Sequence, residues 1–240
     1  MQREMKSLLN QKKLESGLLS LLINPYYFVK KGIFQGLKKN SRHLSGRLLD
    51  FGCGNKSYQY LFNVDEYIGL EAYRIGHDHT GEPIDVYYNG RAVPFKDNIF
   101  DSVLCTEVFE HLFDIDIALT EINRVLKQNG VVLITTPFFW EEHEQPHDFA
   151  RYTEFGIRSL LQKSGFEIVR YEKRGDFIET ITQMWNLFVF KKLIKRAYFF
   201  RYLLIPIFIL PANLLGVFFS LILPGNYDIY LHSVIVAKKV

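Results

Sequence analysis

The sequence predicts an α/β fold: a Rossmann-like, doubly wound sheet of seven strands, mostly parallel with an antiparallel last strand, plus an apolar helical insert between strands six and seven. Three observations predict it. Short apolar runs alternate with segments of helical periodicity between residues 47 and 171. The first run ends in a Gly-x-Gly turn, Asp50-Phe-Gly-Cys-Gly54, where an open sheet of this kind places its ligand loop. The chain closes on one more strand-like run, Leu231 to Lys238, about fifty residues after the sixth.

Each element has a local reason. Residues 4–39 read as one or two helices, broken by Pro25 and weakened by Gly32 and Gly36. Arg47-Leu-Leu-Asp50 is the first strand, and a helix over 57–62 is expected after the glycine turn. Tyr67-Ile-Gly-Leu-Glu71 and Asp85-Val-Tyr-Tyr88 are the second and third strands, and 72–83 is loop-like. Ser102 to Thr106 is the fourth. Ile115, Ala118, Leu119, Ile122, Val125 and Leu126 recur at helical spacing, and Asn129-Gly130 stops that helix. Val131 to Thr135 is apolar nearly throughout, as a buried parallel strand should be. After a polar and aromatic loop, 137–151, Thr153 caps a helix that Gly165 ends. Phe166 to Tyr171 is the sixth strand.

Charge divides the 240-residue chain into three. Residues 1–45 balance at +7, residues 46–175 at −8 and residues 176–240 at +4. The basic ends are also apolar, which points to an anionic membrane surface rather than nucleic acid. Two cysteines make no disulfide framework, and a reducing cytoplasmic setting follows. The boundaries read as an N-terminal helical extension (1–45), a core (46–177), an apolar basic insert (178–228) and the last strand (229–240).

The ligand chemistry is read from the strand ends. Gly52 and Gly54 let backbone approach a ligand closely. Glu71, at the end of the second strand, suits the vicinal hydroxyls of a ribose. The loop lacks the Gly-Lys-Ser/Thr ending of a phosphate loop and the third glycine of a dinucleotide fingerprint. Asp50 would repel a pyrophosphate and attract a cation. S-adenosylmethionine has a ribose, an ammonium and a sulfonium, and no phosphate. The bland alternative is a tight turn in an ordinary α/β protein.

Five stretches carry a resemblance: LLDFGCG (48–54), YIGLE (67–71), VPFKDNIFDSVLCTEVFEH (93–111), EINRVLKQNGVVLITTP (121–137) and SGFEI (164–168). In this order residues 46–175 resemble a class I S-adenosylmethionine-dependent methyltransferase of the methyltransferase-11 type. The resemblance implies that Asp50, Gly52, Cys53 and Gly54 line the methionine end of the cofactor. It implies that Glu71 holds the ribose, that Asn89 meets the adenine amine, and that Glu107 stands beside the cofactor. It casts His111 as structural. Cys53 reads as a small buried residue.

The loop after strand five joins His143, Glu144, His147, Asp148 and Arg151 to an aromatic wall. His143 or His147 is the expected general base, oriented by Asp148 or Glu144, unless these side chains only close the loop. A metal at His143 and His147 is not expected, because Pro146 prevents the helix that would place both on one face; His77-x-His79 is no better.

From Thr180 to Tyr227 there is no acid, and Tyr202 to Leu223 holds no charge. That length spans a bilayer. One crossing would leave the last strand on the wrong side, and Pro206, Pro211 and Asn213 are expected to break a long helix. Two short interfacial helices or a shallow re-entrant hairpin satisfy both constraints. Lys191, Lys192, Lys195, Arg196 and Arg201 would face anionic headgroups, with Tyr198, Phe199, Phe200 and Tyr202 at their depth. Packing on the sheet or a dimer interface is the alternative.

The expectation is therefore an enzyme at the inner face of the cytoplasmic membrane that methylates a small or lipid-linked acceptor. Residues 137–153 resemble methyltransferases of bacterial surface-polysaccharide synthesis, which implies O-methylation of a lipid-linked sugar. A quinone or other lipid acceptor, or a non-catalytic cofactor-binding partner, are the alternatives. No nucleic-acid partner is expected: the Asn/Asp-Pro-Pro-Tyr/Phe signature is absent after strand four, which reads Thr106-Glu-Val-Phe.

Overall fold

A computed structural model describes residues 17–73, 81–194 and 200–240. The His77–His79 pair and Lys195, Arg196, Tyr198 and Phe199 lie outside the described residues. The chain divides into two compact units. One comprises the described residues up to 35 with Lys173–His232, the other Gly36–Glu172 with Ser233–Val240.

Seven strands form one sheet: β1 (Arg47–Phe51), β2 (Glu66–Ala72), β3 (Val86–Tyr88), β4 (Phe100–Thr106), β5 (Leu126–Pro137), β6 (Phe166–Arg174) and β7 (His232–Lys239). Their spatial order is β3-β2-β1-β4-β5-β7-β6. The β1–β2, β1–β4, β2–β3 and β4–β5 pairs are parallel. The Leu231 amide donates to the Arg174 carbonyl and the Val240 amide to the Gly165 carbonyl. The start of β7 therefore faces the end of β6, and that pair is antiparallel. The order reverses between β1 and β4, so a crevice opens beyond their carboxyl ends.

Helices cover this sheet in the larger unit. In α3 (Ile115–Val125) the expected stripe Ile115, Ala118, Leu119, Ile122 and Val125 is buried. Each of the Ile, Leu and Val side chains contributes roughly 1.5–3 kcal/mol by leaving water, and Ala118 less. Arg124 ties this helix to the turn before β4. Its guanidinium donates to Glu121, to the Asp97 carboxylate and to the carbonyls of Val93 and Phe95. The helix passes straight into β5, which is longer than the apolar run alone implied. Helix α4 (Glu154–Lys163) starts at Thr153, whose hydroxyl accepts from the Gly156 amide at 3.1 Å. The helix expected over 57–62 is one 3₁₀ turn, Gln59–Leu61. Lys56 takes the left-handed conformation there (φ 49°), and that breaks a helix start.

The other unit has small apolar cores, around Phe28 and Leu231 and around Val189, Ile194 and Ile209, but one of its helices exposes an apolar face. Its helices are α1 (Leu18–Ile23), the first part of α2 (Tyr27–Asn40), α5 (Phe177–Val189) and α6 (Arg201–Ile222). Helix α5 buries Glu179, Thr180, Gln183 and Asn186, and exposes Phe177, Ile181, Trp185 and Phe188. The buried groups are bonded. Lys31 Nζ meets Glu179 Oε1 at 2.6 Å, Gln183 Nε2 donates to the Pro25 carbonyl, and Asn186 Nδ2 donates to Asn213 Oδ1. Asn213 Nδ2 donates in turn to the Leu21 carbonyl.

Pro206 and Pro211 do not break α6. It is one 22-residue helix, contrary to the expectation of short pieces. Asn213 is likewise no breaker; it is fully buried and joins α6 to its neighbours. A close approach of α5 and α6 is set at Gly216, where a Cβ would stand 2.7 Å from the Thr182 side chain. Leu203–Ile222 is long and apolar enough to cross a membrane.

Candidate active site

The cavity beyond β1 and β4 has a volume of about 230 Å³. Asp50, Gly52, Cys53, Gly54, Ser57, Tyr58, Tyr67 and Thr106 are among its lining residues. Four expected cofactor residues, Asp50, Gly52, Cys53 and Gly54, are thus brought together there. Gly52 and Gly54 have φ of 75° and 42°, and a Cβ at Gly54 would meet nothing within 4 Å. Its backbone is therefore open to a ligand, in a conformation that other residues adopt at a cost.

Asp50 is buried, and its Oδ2 accepts from the Tyr67 hydroxyl at 2.6 Å. Burial pushes its carboxyl up to about 7, against the Tyr67 hydroxyl and the Lys56 ammonium, which favour the charge. Burial likewise pushes the Cys53 thiol up, so it is a neutral packing group. The Lys56 ammonium is paired with Asp85. Glu71 Oε2 accepts from the Gly54 amide and Oε1 from the Ala72 amide, each at 3.0 Å. A carboxylate has about four acceptor positions, so two remain for a diol. Asn89 is exposed, and its Oδ1 accepts from the amides of Arg91 and Ala92. It shapes a turn; like Glu71 and Glu107, it is not among the residues that line the cavity.

The second part of the site follows β4. Glu107 takes φ of 54°, and its amide donates to the Thr135 carbonyl. Glu110 and His111 lie in the 3₁₀ turn Phe109–His111 and are buried. Burial and the neighbouring Glu107 push the Glu110 carboxyl well above its ordinary value, and burial lowers His111. The loop after β5 arches back to this turn. Glu110's carbonyl accepts from the Phe149 amide at 2.7 Å, and His111 Nδ1 bonds the His147 carbonyl at 2.7 Å. The His111 and His143 rings meet edge to face, 4.8 Å between centres.

Of the expected base pairings, the structure makes one. His143 Nδ1 lies 3.1 Å from Asp148 Oδ2. Arg151 grips the same carboxylate with both terminal nitrogens, at 2.5 and 2.7 Å, and holds its pKa well below the usual range. The His147 ring is exposed, edge-on to Phe149, and is not brought to that pair. Sequence reasoning missed Tyr67, whose alternation with Gly69 on a strand paired to Asp50 was the available signal. It also missed the part His111 plays, for which the sequence holds no signal: 32 positions separate it from His143.

The donor set fits one cofactor. A buried carboxylate beside an open glycine turn suits a cation, and a half-used carboxylate at the end of β2 suits a ribose. Fold and site are those of an S-adenosylmethionine-dependent methyltransferase domain in outline.

Comparison with known proteins agrees. Residues 49–134 match the methyltransferase domain family. An uncharacterized protein of Methanocaldococcus jannaschii, MJ0638, is 29% identical over 164 residues, which cover 66% of this chain and 71% of that one. Another from the same organism, MJ1252, is 33% identical over 90 residues, 37% of this chain. The match spans only 36% of MJ1252's length. Among solved structures, a putative sarcosine dimethylglycine methyltransferase from Galdieria sulphuraria superposes with a TM-score of 0.55 at 19% identity. That superposition covers 87% of this chain and 84% of that one, and shows the shared fold.

Proposed function

We propose that the protein O-methylates an amphipathic acceptor, a sugar on a lipid carrier, at the inner face of the cytoplasmic membrane. The observation that carries this reading is helix α5, which holds Glu179, Thr180, Gln183 and Asn186 inside and turns Phe177, Ile181, Trp185 and Phe188 outward, beside the largely exposed apolar face of α6. Soluble proteins rarely expose so much contiguous apolar surface, and lipid is the solvent in which that arrangement is favourable. The basic residues Lys191 and Lys192 and the lack of acids from 180 to 227 match an anionic leaflet. The resemblance of residues 137–153 to enzymes of surface-polysaccharide synthesis supports the sugar.

When bound, S-adenosylmethionine would supply a sulfonium-activated methyl group for transfer to the acceptor oxygen, with S-adenosylhomocysteine as the product. The protein's part is placement. Asp50 would hold the cationic end and Glu71 the ribose, with the glycine turn giving close backbone approach. The acceptor hydroxyl loses its proton to a base of the loop after β5, beside the cluster of Glu110, His111 and His143.

The test is transfer of a labelled methyl group to a membrane lipid extract by the detergent-solubilised protein. Label in a polar, acid-labile lipid-linked glycan is expected. Label in quinone or simple lipid would move the acceptor to that class. No label in any fraction, with S-adenosylhomocysteine still bound, would point to a non-catalytic cofactor-binding partner.

A further inference from the structure

The cluster of Glu110, His111 and His143 is built like a metal site. One ligand atom from each lies within 4.8 Å of the others. Glu110 is fully buried, and neither of its carboxylate oxygens has a hydrogen-bond partner. A buried carboxylate in that state is costly unless something positive meets it.

The two imidazoles are oriented for the same purpose. A carbonyl only accepts, so the 2.7 Å contact to the His147 carbonyl puts the proton of His111 on Nδ1. The lone pair is then on Nε2, which lies 3.7 Å from Glu110 Oε1 and 3.8 Å from Glu144 Oε2. At His143, Nδ1 faces two acceptors, Asp148 Oδ2 at 3.1 Å and the Glu141 carbonyl at 3.3 Å, nearer than the one donor, Arg151 Nη2 at 3.5 Å. The His143 proton is on Nδ1 and its lone pair on Nε2. Carbonyl–histidine and carboxylate–histidine contacts of this kind orient metal ligands. A cation placed here would meet the unsatisfied Glu110 carboxylate and the Nε2 atoms of both imidazoles.

We infer that Glu110, His111 and His143 bind a divalent first-row metal ion of the zinc type, with the fourth position open toward Glu144. Two imidazoles and one carboxylate are the ligand set of open zinc sites. A tetrahedral ion with bonds of roughly 2.0–2.2 Å holds its ligands about 3.4 Å apart, so Glu110 and His111, at 3.7 Å, need little movement and the set, within 4.8 Å, draws in by side-chain shifts of about an ångström. The sequence argued against metal because Pro146 separates His143 from His147. The partner of His143 is instead His111, from the turn after β4. Resting on the O-methylation reading, the ion would take the acceptor hydroxyl in its open position and lower its pKa, the proton passing to the Glu144 carboxylate. His143 is then a ligand, and Asp148 and Arg151 position it.

The full-length solubilised protein, stripped with chelator, is titrated with Zn²⁺ alone by calorimetry, and metal is counted by mass spectrometry. One equivalent at micromolar affinity is expected. His143→Ala, on a partly exposed loop, should weaken binding at least tenfold, Glu110→Gln should do the same, and His147→Ala should leave it unchanged. S-adenosylhomocysteine binding by each variant confirms the fold. No uptake by the wild type, or equal uptake by His143→Ala, overturns the inference. Neither readout uses an acceptor, so failure here and failure of the acceptor reading are separate results.

Discussion

Gly52 and Val108 are packed so closely that a Cβ on Gly52 would stand 2.5 Å from Val108 Cγ2. The glycine turn after β1 is thereby pressed against the segment that carries Glu107, Glu110 and His111. Gly52→Ala combines that clash with φ of 75°. A loss of about 2–3 kcal/mol is expected, together with cofactor binding. Thermal unfolding and calorimetry with S-adenosylhomocysteine check it. Unchanged melting would mean that the turn and Val108 move apart freely.

Asp50 makes cofactor affinity depend on pH. Its carboxyl is raised to about 7, so it is largely neutral below that pH and charged above it. A cationic ligand should bind more tightly as pH rises from 6 to 8, and Asp50→Asn should flatten the profile. Stability runs the other way. A raised carboxyl favours the folded state while protonated, and that contribution is lost as pH rises through the folded pKa. Unfolding of the ligand-free protein between pH 5 and 8 should show a falling component that Asp50→Asn removes.

Glu71 holds two backbone amides, and the ribose is proposed for its remaining acceptor positions. Glu71→Ala should lower cofactor affinity by more than tenfold, the cost of two charge-assisted hydrogen bonds. Glu71→Gln should recover part of it, since the amide oxygen still accepts. Calorimetry on the three proteins separates these outcomes.

Arg151 closes the loop on Asp148 with two parallel bonds. Lysine cannot reproduce that fork. Arg151→Lys should cut methyl transfer at least tenfold while cofactor affinity stays within about twofold. Equal loss of both would place Arg151 in cofactor binding instead.

Trp185 reports on the membrane. It is 54% exposed on the apolar side of α5, and the only other tryptophan is Trp140. In Trp140→Phe, Trp185 emission should shift to the blue on adding anionic vesicles and be quenched by brominated lipids. An unchanged spectrum would remove the membrane from the account.

Much of this was legible in the sequence because it is local. Glu71 follows its strand and Thr153 its loop, and the buried stripe of α3 is a repeat along one helix. The continuity of α6 was not legible. Proline costs a helix one hydrogen bond and a clash, and an apolar segment packed on α5 tolerates both. The polar inner face of α5 had a signal: Asp176, Glu179, Thr180, Gln183 and Asn186 recur at helical spacing within an apolar stretch.

The sequence by itself determined the class of fold, the glycine turn, the acid at the end of β2 and the apolar character of the insert. These depend on neighbours within a few residues, where periodicity and turn chemistry act. Only the tertiary structure decided which histidine meets which partner. His111 and His143 come together because the turn after β4 and the loop after β5 leave adjacent parallel strands at the same edge of the sheet. Strand pairing, not chain distance, sets that proximity.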